Sequence, residues 1–282
     1  MWKTILAVAL ALSLILVAVI LYVKSYYIWS PIVVYNPLDK GWIEPVRSFK
    51  LRVPKGCDKG FGAADPFFTH GCVFAEVTKK GKGIIAVADS REGGLNFVPV
   101  LEEKFHLSYP HVFNHSGRWY MIPEASQSGS ILLYRAKKFP YEWEKVGIIS
   151  DIDGLDSTTF NMEGRWYMFT TSGRTKENMI MTTDNFPLGP WRITRFNPLP
   201  KGYRGGGQSL YHDGEILLPL QPPTTILNGY GWKLELHKVN SDLSMERVTT
   251  FYPPKGAGGV HHLSCDPTTK QCMVDLRRYL KR

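Results

Sequence analysis

Three stretches of the chain lie over one another without gaps: SYPHVFNHSGRWYMIPEAS (Ser108 to Ser126), LDSTTFNMEGRWYMFTTSG (Leu155 to Gly173) and GGGQSLYHDGEILLPLQPP (Gly205 to Pro223). Anchored on Gly117, Gly164 and Gly214, they repeat at intervals of 47 and 50 residues. A fourth, shorter copy, ADPFFTHGCVFAEV (Ala64 to Val77), turns at Gly71. Each copy reads as apolar strand, polar turn with glycine, then aromatic and apolar strand, which is a β-hairpin. Between copies lie further strand-like runs, GIIAVADS, SILLYRA, NMIMTTD and WKLELHKV. Beyond the N-terminus hardly any stretch holds a helical period.

Four-stranded units recurring every 40 to 50 residues define a β-propeller. Units start near Asp65, Tyr109, Asp156 and Gly206, and a fifth starts near Val260. Five blades of about 45 residues use the roughly 225 residues left after the N-terminus and a short stem. A β-sandwich would leave the repeat unexplained. The fold class is therefore all-β, a five-bladed β-propeller preceded by one N-terminal transmembrane helix. Residues 1–30 form a tip and anchor, 31–56 a stem with a blade-closing strand, and 57–282 the propeller. The last blade is short, so the segment around Trp42 to Val53 is expected to complete it.

The anchor is the apolar run from Ile5 to Val23, 19 residues long. At about 1.5 Å per residue it spans close to 30 Å. A cleaved signal peptide carries a shorter apolar region and a small-residue cleavage site. Here the run stops at Lys24, and Tyr26, Tyr27 and Trp29 follow as an interfacial belt. Charge bias across the run is balanced and does not set orientation. The expectation is a single-pass, type II protein with a lumenal (Golgi or ER in a eukaryote) or extracellular C-terminal domain. All four cysteines lie beyond the run, and Cys265–Cys272 across the turn DPTTKQ, or Cys57–Cys72, could close disulfides; four reduced thiols are the alternative.

Lys plus Arg number 34 against 25 Asp plus Glu, a net charge of +9. That excess suits phosphate-bearing partners such as anionic lipid or nucleotide-sugars. The basic residues are dispersed and form no nucleic-acid module, so no nucleic acid is expected.

In a propeller the innermost strand of each blade lines the central channel, so equivalent positions converge on one mouth. Eight residues before the turn glycine stand Tyr109, Asp156 and Gly206, with Asp65 at the matching start of the first copy. Seven residues after it stand Glu124, Thr171 and Gln221, with Glu76 ending the same strand of the first copy. Each carboxylate alone reads as a turn cap or a solvated strand end. Together they supply the acids and amides of a polyol-binding cleft. Trp119, Tyr120, Trp166, Tyr167 and Trp232 either stack on sugar faces or pack between blades. His106, His111, His261 and His262 cluster in HLSYPHVF and GVHHL. Adjacent His261 and His262 point to opposite faces of a strand, so both cannot ligate one ion, and no metal or resident cofactor is assigned. Arg204 precedes the run Gly205-Gly206-Gly207, which reads either as an anion-binding turn or as a blade start.

The strings ADPFF, HLSYPHVF, RWYMIPEAS, ILLYRAKKFPYEWE, RWYMFTTS, FPLGPW, RGGG, YGWKLEL and GVHHL occur in this order between about Phe61 and Arg277. In that order they resemble the N-terminal domain family of plant glucosamine inositolphosphorylceramide transferase and its bacterial and viral relatives. In the plant proteins a separate glycosyltransferase domain follows that region. More distantly the pattern is similar to five-bladed glycosidases of the arabinanase and xylosidase type. That similarity implies Asp65 as general base and Asp156 as the acid that tunes its partners' pKa. Those enzymes place a glutamate acid at the start of the fourth blade, where this chain has Tyr203-Arg204-Gly205-Gly206-Gly207.

Hydrolysis of a glycoside needs a proton for a poor alkoxide leaving group. A nucleotide-diphosphate leaves as a stable anion and needs none. The expectation is sugar transfer from an activated donor, such as a nucleotide-sugar, to a glycan or glycolipid acceptor. Asp65 serves as base there and Arg204 stands near the leaving phosphate. Asp156 and Glu124 complete the catalytic set, and Glu76, His106, Tyr109, His111, Arg204, Gln221 and His262 bind substrate. The alternatives are a non-catalytic glycan- or glycolipid-binding propeller that assists a partner glycosyltransferase, and a glycoside hydrolase using Glu124 as its acid.

Overall fold

The computed structural model describes residues 27–225, 229–269 and 271–279, together with residues 2, 5, 6 and 8–14. Among the described residues no helix is long and apolar enough to cross a membrane. Positions 15–23 of the apolar run lie outside the described residues.

In chain order the strands begin with β1 (Tyr27–Val34), β2 (Pro45–Ser48) and β3 (Lys50–Arg52). A short helix, α1 (Pro37–Lys40), sits between β1 and β2, capped by the Asn36 side chain. The first blade is β4 (Ala64–Thr69), β5 (Cys72–Lys79), β6 (Lys82–Asp89) and β8 (Val98–Leu101), with β7 (Gly94–Asn96) pairing β3. The second is β9 (Ser108–His115), β10 (Arg118–Glu124), β11 (Ile131–Lys138) and β12 (Glu142–Ser150). The third is β13 (Gly154–Met162), β14 (Arg165–Ser172), β15 (Asn178–Thr183) and β16 (Arg192–Phe196). The fourth splits its inner strand into β17 (Arg204–Gly205) and β18 (Leu210–His212), followed by β19 (Glu215–Gln221), β20 (Leu234–Val239) and β21 (Met245–Phe251). The fifth joins β22 (Ala257–Cys265) and β23 (Cys272–Tyr279) to β1 and β2, in the order β2-β1-β23-β22.

The ring is thus closed by two strands from before the first blade. Sequence patterning placed the closing segment at Trp42 to Val53; it begins earlier, because β1 pairs with β23 along its whole length, from Tyr27↔Tyr279 to Val34↔Cys272. The hairpin β22–β23 carries the Cys265–Cys272 disulfide, whereas Cys57 and Cys72 are unbonded.

The turn glycines explain why the repeat recurs. His70-Gly71, Ser116-Gly117, Glu163-Gly164 and Asp213-Gly214 all hold positive φ at both positions, the backbone of a two-residue type I′ hairpin. Strands are sandwiched between neighbouring blades and bury both faces, so successive residues of β5 feed different cores. Val73, Ala75 and Val77 pack towards the fifth blade, while Cys72 and Phe74 pack towards the second. This gives one apolar cluster at each of the five blade interfaces and leaves polar groups for the axis. Each fully buried Phe, Leu or Ile in these clusters contributes on the order of 1.5–3 kcal/mol.

Candidate functional site at one mouth of the channel

Inner strands β4, β9, β13 and β22 all carry a register irregularity near their first residues. In the first three blades the bulge sits at equivalent positions, and Asp65, Tyr109 and Asp156 have φ of 51°, 45° and 47°. Left-handed backbone at a non-glycine residue costs on the order of 1–3 kcal/mol and persists only where its surroundings fix it. Here they do. The Asp65 N–H donates to Asp275 Oδ2 at 3.0 Å, and the Tyr109 N–H donates to Asp65 Oδ2 at 3.3 Å. The consequence is that the side chains at the blade starts turn inward at one mouth.

Two linked groups of charges meet there. Arg204 Nε donates to Asp156 Oδ2 at 2.7 Å, and its Nη2 donates to Glu124 Oε2 at 2.9 Å. Glu124 also accepts from Ser126 Oγ. In the second group His261 Nδ1 donates to Asp275 at 2.8 Å, while its Nε2 stands 3.4 Å from Asp65 Oδ1. Asp275 also accepts the backbone N–H groups of Asp65, His261 and His262. Asp65 Oδ1 is buried and makes no hydrogen bond. Beside it, His106 accepts the Gly83 N–H on Nδ1, which leaves Nε2–H to face Glu76 Oε1 at 3.3 Å.

Burial pushes the Asp65 carboxyl up to about 7, with His261 pulling against it and Asp275 and Glu76 adding to it. Burial likewise lifts Asp156 well above the carboxylate range, and Glu124 adds to that lift against the pull of Arg204. His261 is raised, because the attraction of Asp275 and Asp65 outweighs the burial that opposes its charge. Asp275 is lowered, since His261 outweighs its own burial. The mouth therefore holds a buried carboxyl raised towards neutrality, beside an imidazole whose basicity Asp275 and Asp65 raise and whose ring Asp275 holds in place.

Asp65, His261 and Asp275 bring three ligand-type atoms within 4.8 Å of one another, so this trio is where a cation could be held. His262 is not part of it, because it points to the opposite face of β22 against Phe67 and Tyr109. The trio is already knit together by four N–H bonds to Asp275, which any ion would have to loosen.

The sequence-predicted residues divide in two. Asp65, Glu76, His106, Glu124, Asp156 and Arg204 come together at the mouth. Gln221 lies under Arg204 and donates to the Gly205 carbonyl. Tyr109, His111 and His262 lie inside the channel. The Tyr109 hydroxyl bridges Thr158 Oγ1 at 2.6 Å and the Gly207 carbonyl at 2.8 Å, tying the second blade to the third and fourth. His111 Nε2 accepts from the Thr159 N–H, and burial drives both His111 and His262 down to about 3. The glycine run is a contact between blades, not an anion cradle. A Cβ on Gly207, whose φ is 143°, would stand 1.8 Å from the Leu263 carbonyl oxygen, and one on Gly205 would stand 2.2 Å from that of Asp156. The tryptophans mostly pack: Trp119 stacks on Phe139 and Trp166 on Phe186.

Sequence patterning missed Asp275, His261 in its role beside Asp65, and Trp29, which stacks on His261 with centroids 4.0 Å apart. An acid inside the apolar run CMVDL was the available signal, because such a residue is buried only with partners.

A separate cavity of about 600 Å³ opens at the other mouth, lined in part by Phe113, Trp166, Tyr211 and Asp266. Asp266 is committed there to the N–H groups of Gly71, Thr268 and Thr269. The carboxyls with displaced pKa stand together at the acid-lined mouth, which makes that mouth the candidate site.

The radial blades define a five-bladed β-propeller with acids gathered at one channel mouth. Three solved structures share the fold. They are a putative glycoside hydrolase from Bacteroides ovatus (TM-score 0.56, 13% identity, covering 90% of this chain and 95% of that one), a family 117 glycoside hydrolase of Zobellia galactanivorans (0.54, 9%, 90% and 91%), and the catalytic domain of the Coprinopsis cinerea GH62 α-L-arabinofuranosidase (0.52, 13%, 89% and 98%). Residues 64–249 match the family described as Glucosamine inositolphosphorylceramide transferase 1, N-terminal, and the chain belongs to that family. It is 34% identical over 172 residues to Glucosamine inositolphosphorylceramide transferase 1 of Oryza sativa subsp. indica, covering 56% of this chain and 23% of the relative. The Arabidopsis thaliana protein of that name is 33% identical over 148 residues, covering 48% and 19%. The matched stretch is thus less than a quarter of the curated relatives' length.

Proposed function

We propose that the propeller is a membrane-anchored, carbohydrate-active domain that transfers a sugar from an activated donor to a glycan or glycolipid acceptor. The observation that carries this reading is Asp65 Oδ1, a buried carboxylate oxygen without a hydrogen bond on a group titrating near 7. A base of that strength accepts the proton of an acceptor hydroxyl efficiently at neutral pH. The hydroxyl oxygen then bonds to the anomeric carbon, and the bond to the leaving group breaks with its electron pair departing on that group. Glu124 is committed as an acceptor on both oxygens, Oε2 to Arg204 and Oε1 to Ser126, and is not aimed as a donor at a leaving alkoxide. That favours a donor whose leaving group needs no proton. Arg204 serves here to hold Asp156 and Glu124 in place. The relatives' printed name, a transferase acting on inositolphosphorylceramide, supports a lipid-linked acceptor. The apolar run Ile5–Val23 supports an anchor, and the Cys265–Cys272 disulfide supports a type II orientation with the propeller in an oxidising lumen or outside the cell.

The test is turnover of a panel of nucleotide-sugars with glycolipid acceptors by the full chain and by Asp65→Asn. Transfer by the parent and a loss of at least 100-fold in the variant, at unchanged melting temperature, is expected; equal activity overturns the mechanism. A second reading, a propeller that presents a glycolipid to a partner transferase, is favoured by the full engagement of Arg204 with two carboxylates. On that reading glycolipid binding occurs without turnover and survives Asp65→Asn.

A further inference from the structure

Strand direction fixes which mouth meets the apolar run. Inner strand β22 starts at the acid-lined mouth, with His261 beside Asp65. β23 runs antiparallel to β22, and β1 runs antiparallel to β23, so β1 runs in the same direction as β22. Its first residue, Tyr27, therefore enters at the acid-lined mouth, and two residues later Trp29 already stacks on His261. The apolar run ends at Val23. Four residue steps reach at most about 14 Å, too short to pass to the opposite face of a blade whose strands run eight or nine residues.

The surface around Tyr27 has the composition of a bilayer interface. Tyr230, Tyr252 and Tyr279 are 39%, 59% and 52% exposed, and Lys255 and Arg278 stand among them. The described residues of the two loops here, 222–225 with 229–233 and 252–256, hold no Asp or Glu. Further round this mouth Glu102 and Asp151 are exposed in the connections into β9 and β13, and the turns at the opposite mouth carry Glu163, Asp184, Asp213 and Asp242, all exposed. Tyrosines concentrate at headgroup depth, and lysine and arginine are drawn to anionic leaflets while acids are repelled.

We propose that the mouth holding Asp65 faces an anionic bilayer, so that the site takes the headgroup of a lipid in the membrane that anchors the chain. The inference rests on the anchored, lipid-linked reading above and adds a direction to it. A headgroup then enters along the channel axis from the membrane side, and a soluble glycan is excluded from that approach by the bilayer itself.

The test uses the full chain reconstituted in phosphatidylserine-containing vesicles, on a Cys57→Ser background because Cys57 is the partly exposed thiol. A fluorophore is attached at Tyr252→Cys or Tyr279→Cys, and at Asp213→Cys or Asp242→Cys for the opposite mouth. Quenching by lipid-borne nitroxide is expected to be at least twofold stronger at 252 and 279 than at 213 and 242. Equal or reversed quenching in stably inserted protein overturns the orientation. Release of the chain by alkaline carbonate overturns the anchor and the orientation with it. Neither readout depends on turnover, so failure of the transferase mechanism leaves this result separately legible.

Discussion

His261 stands between two carboxyls, with Nδ1 2.8 Å from Asp275 and Nε2 3.4 Å from Asp65 Oδ1. Asp275 comes from the second strand of the fifth blade and Asp65 from the first strand of the first. The pair is therefore assembled only when the ring closes, and β1, which seals that closure, also lays Trp29 over the imidazole. Closure and site formation are the same event.

Asp275→Ala removes the acceptor of three backbone N–H groups and leaves His261 Nδ1 without its buried partner. Breaking a buried pair from one side costs about 3–5 kcal/mol. Chemical denaturation at pH 7 is expected to register a loss of that size, and Asp275→Asn, which keeps an acceptor oxygen, a smaller one.

Arg204→Met leaves Asp156 and Glu124 facing each other without a cation. A carboxyl whose folded pKa lies above its unfolded value destabilises increasingly as pH rises through that interval, and has no effect below it. The variant's deficit against the parent is therefore expected to be small at pH 4–5 and to grow to about 3 kcal/mol at pH 8. A deficit that shrinks with rising pH contradicts the ion cluster.

His111 and His262 are buried in neutral form, each driven down to about 3. Between their unfolded value of about 6.5 and that level the unfolded chain binds the extra protons, so stability is lost as pH is lowered, by about 1.4 kcal/mol per unit for each histidine. Asp65 works in the other sense over roughly pH 4 to 7, where the folded state holds its proton, and offsets one of the two. His262→Leu, which replaces two unpartnered ring nitrogens by hydrocarbon, is expected to match or exceed the parent at pH 7 and to move acid unfolding to lower pH, read by circular dichroism.

The repeat made the blades and their turns legible, since Gly117, Gly164 and Gly214 mark the same left-handed turn in three blades. It also put Asp65, Asp156 and Glu124 at one mouth. What patterning could not show is how these groups pair. Arg204 reaches Glu124 across 80 residues of chain and two blade interfaces, and no spacing rule encodes that contact. The run Gly205-Gly206-Gly207 looked like an anion turn because glycine serves both close backbone approach and anion binding. Only the position of Leu263 separates the two. The closing strand was masked by Pro31 and by its abutment on the apolar run, where Tyr27 and Trp29 read as membrane-interface aromatics. Asp275 sits in the most degenerate blade, where no other copy supplies a register.

The central claim is that Asp65 is a base poised near neutrality. Carbon-13 spectra of aspartate-labelled protein, with the Asp65 carboxyl assigned by its loss in Asp65→Asn, measure its titration directly. A midpoint near 7 is expected; a midpoint near 4, the value of a solvated aspartate, contradicts the account.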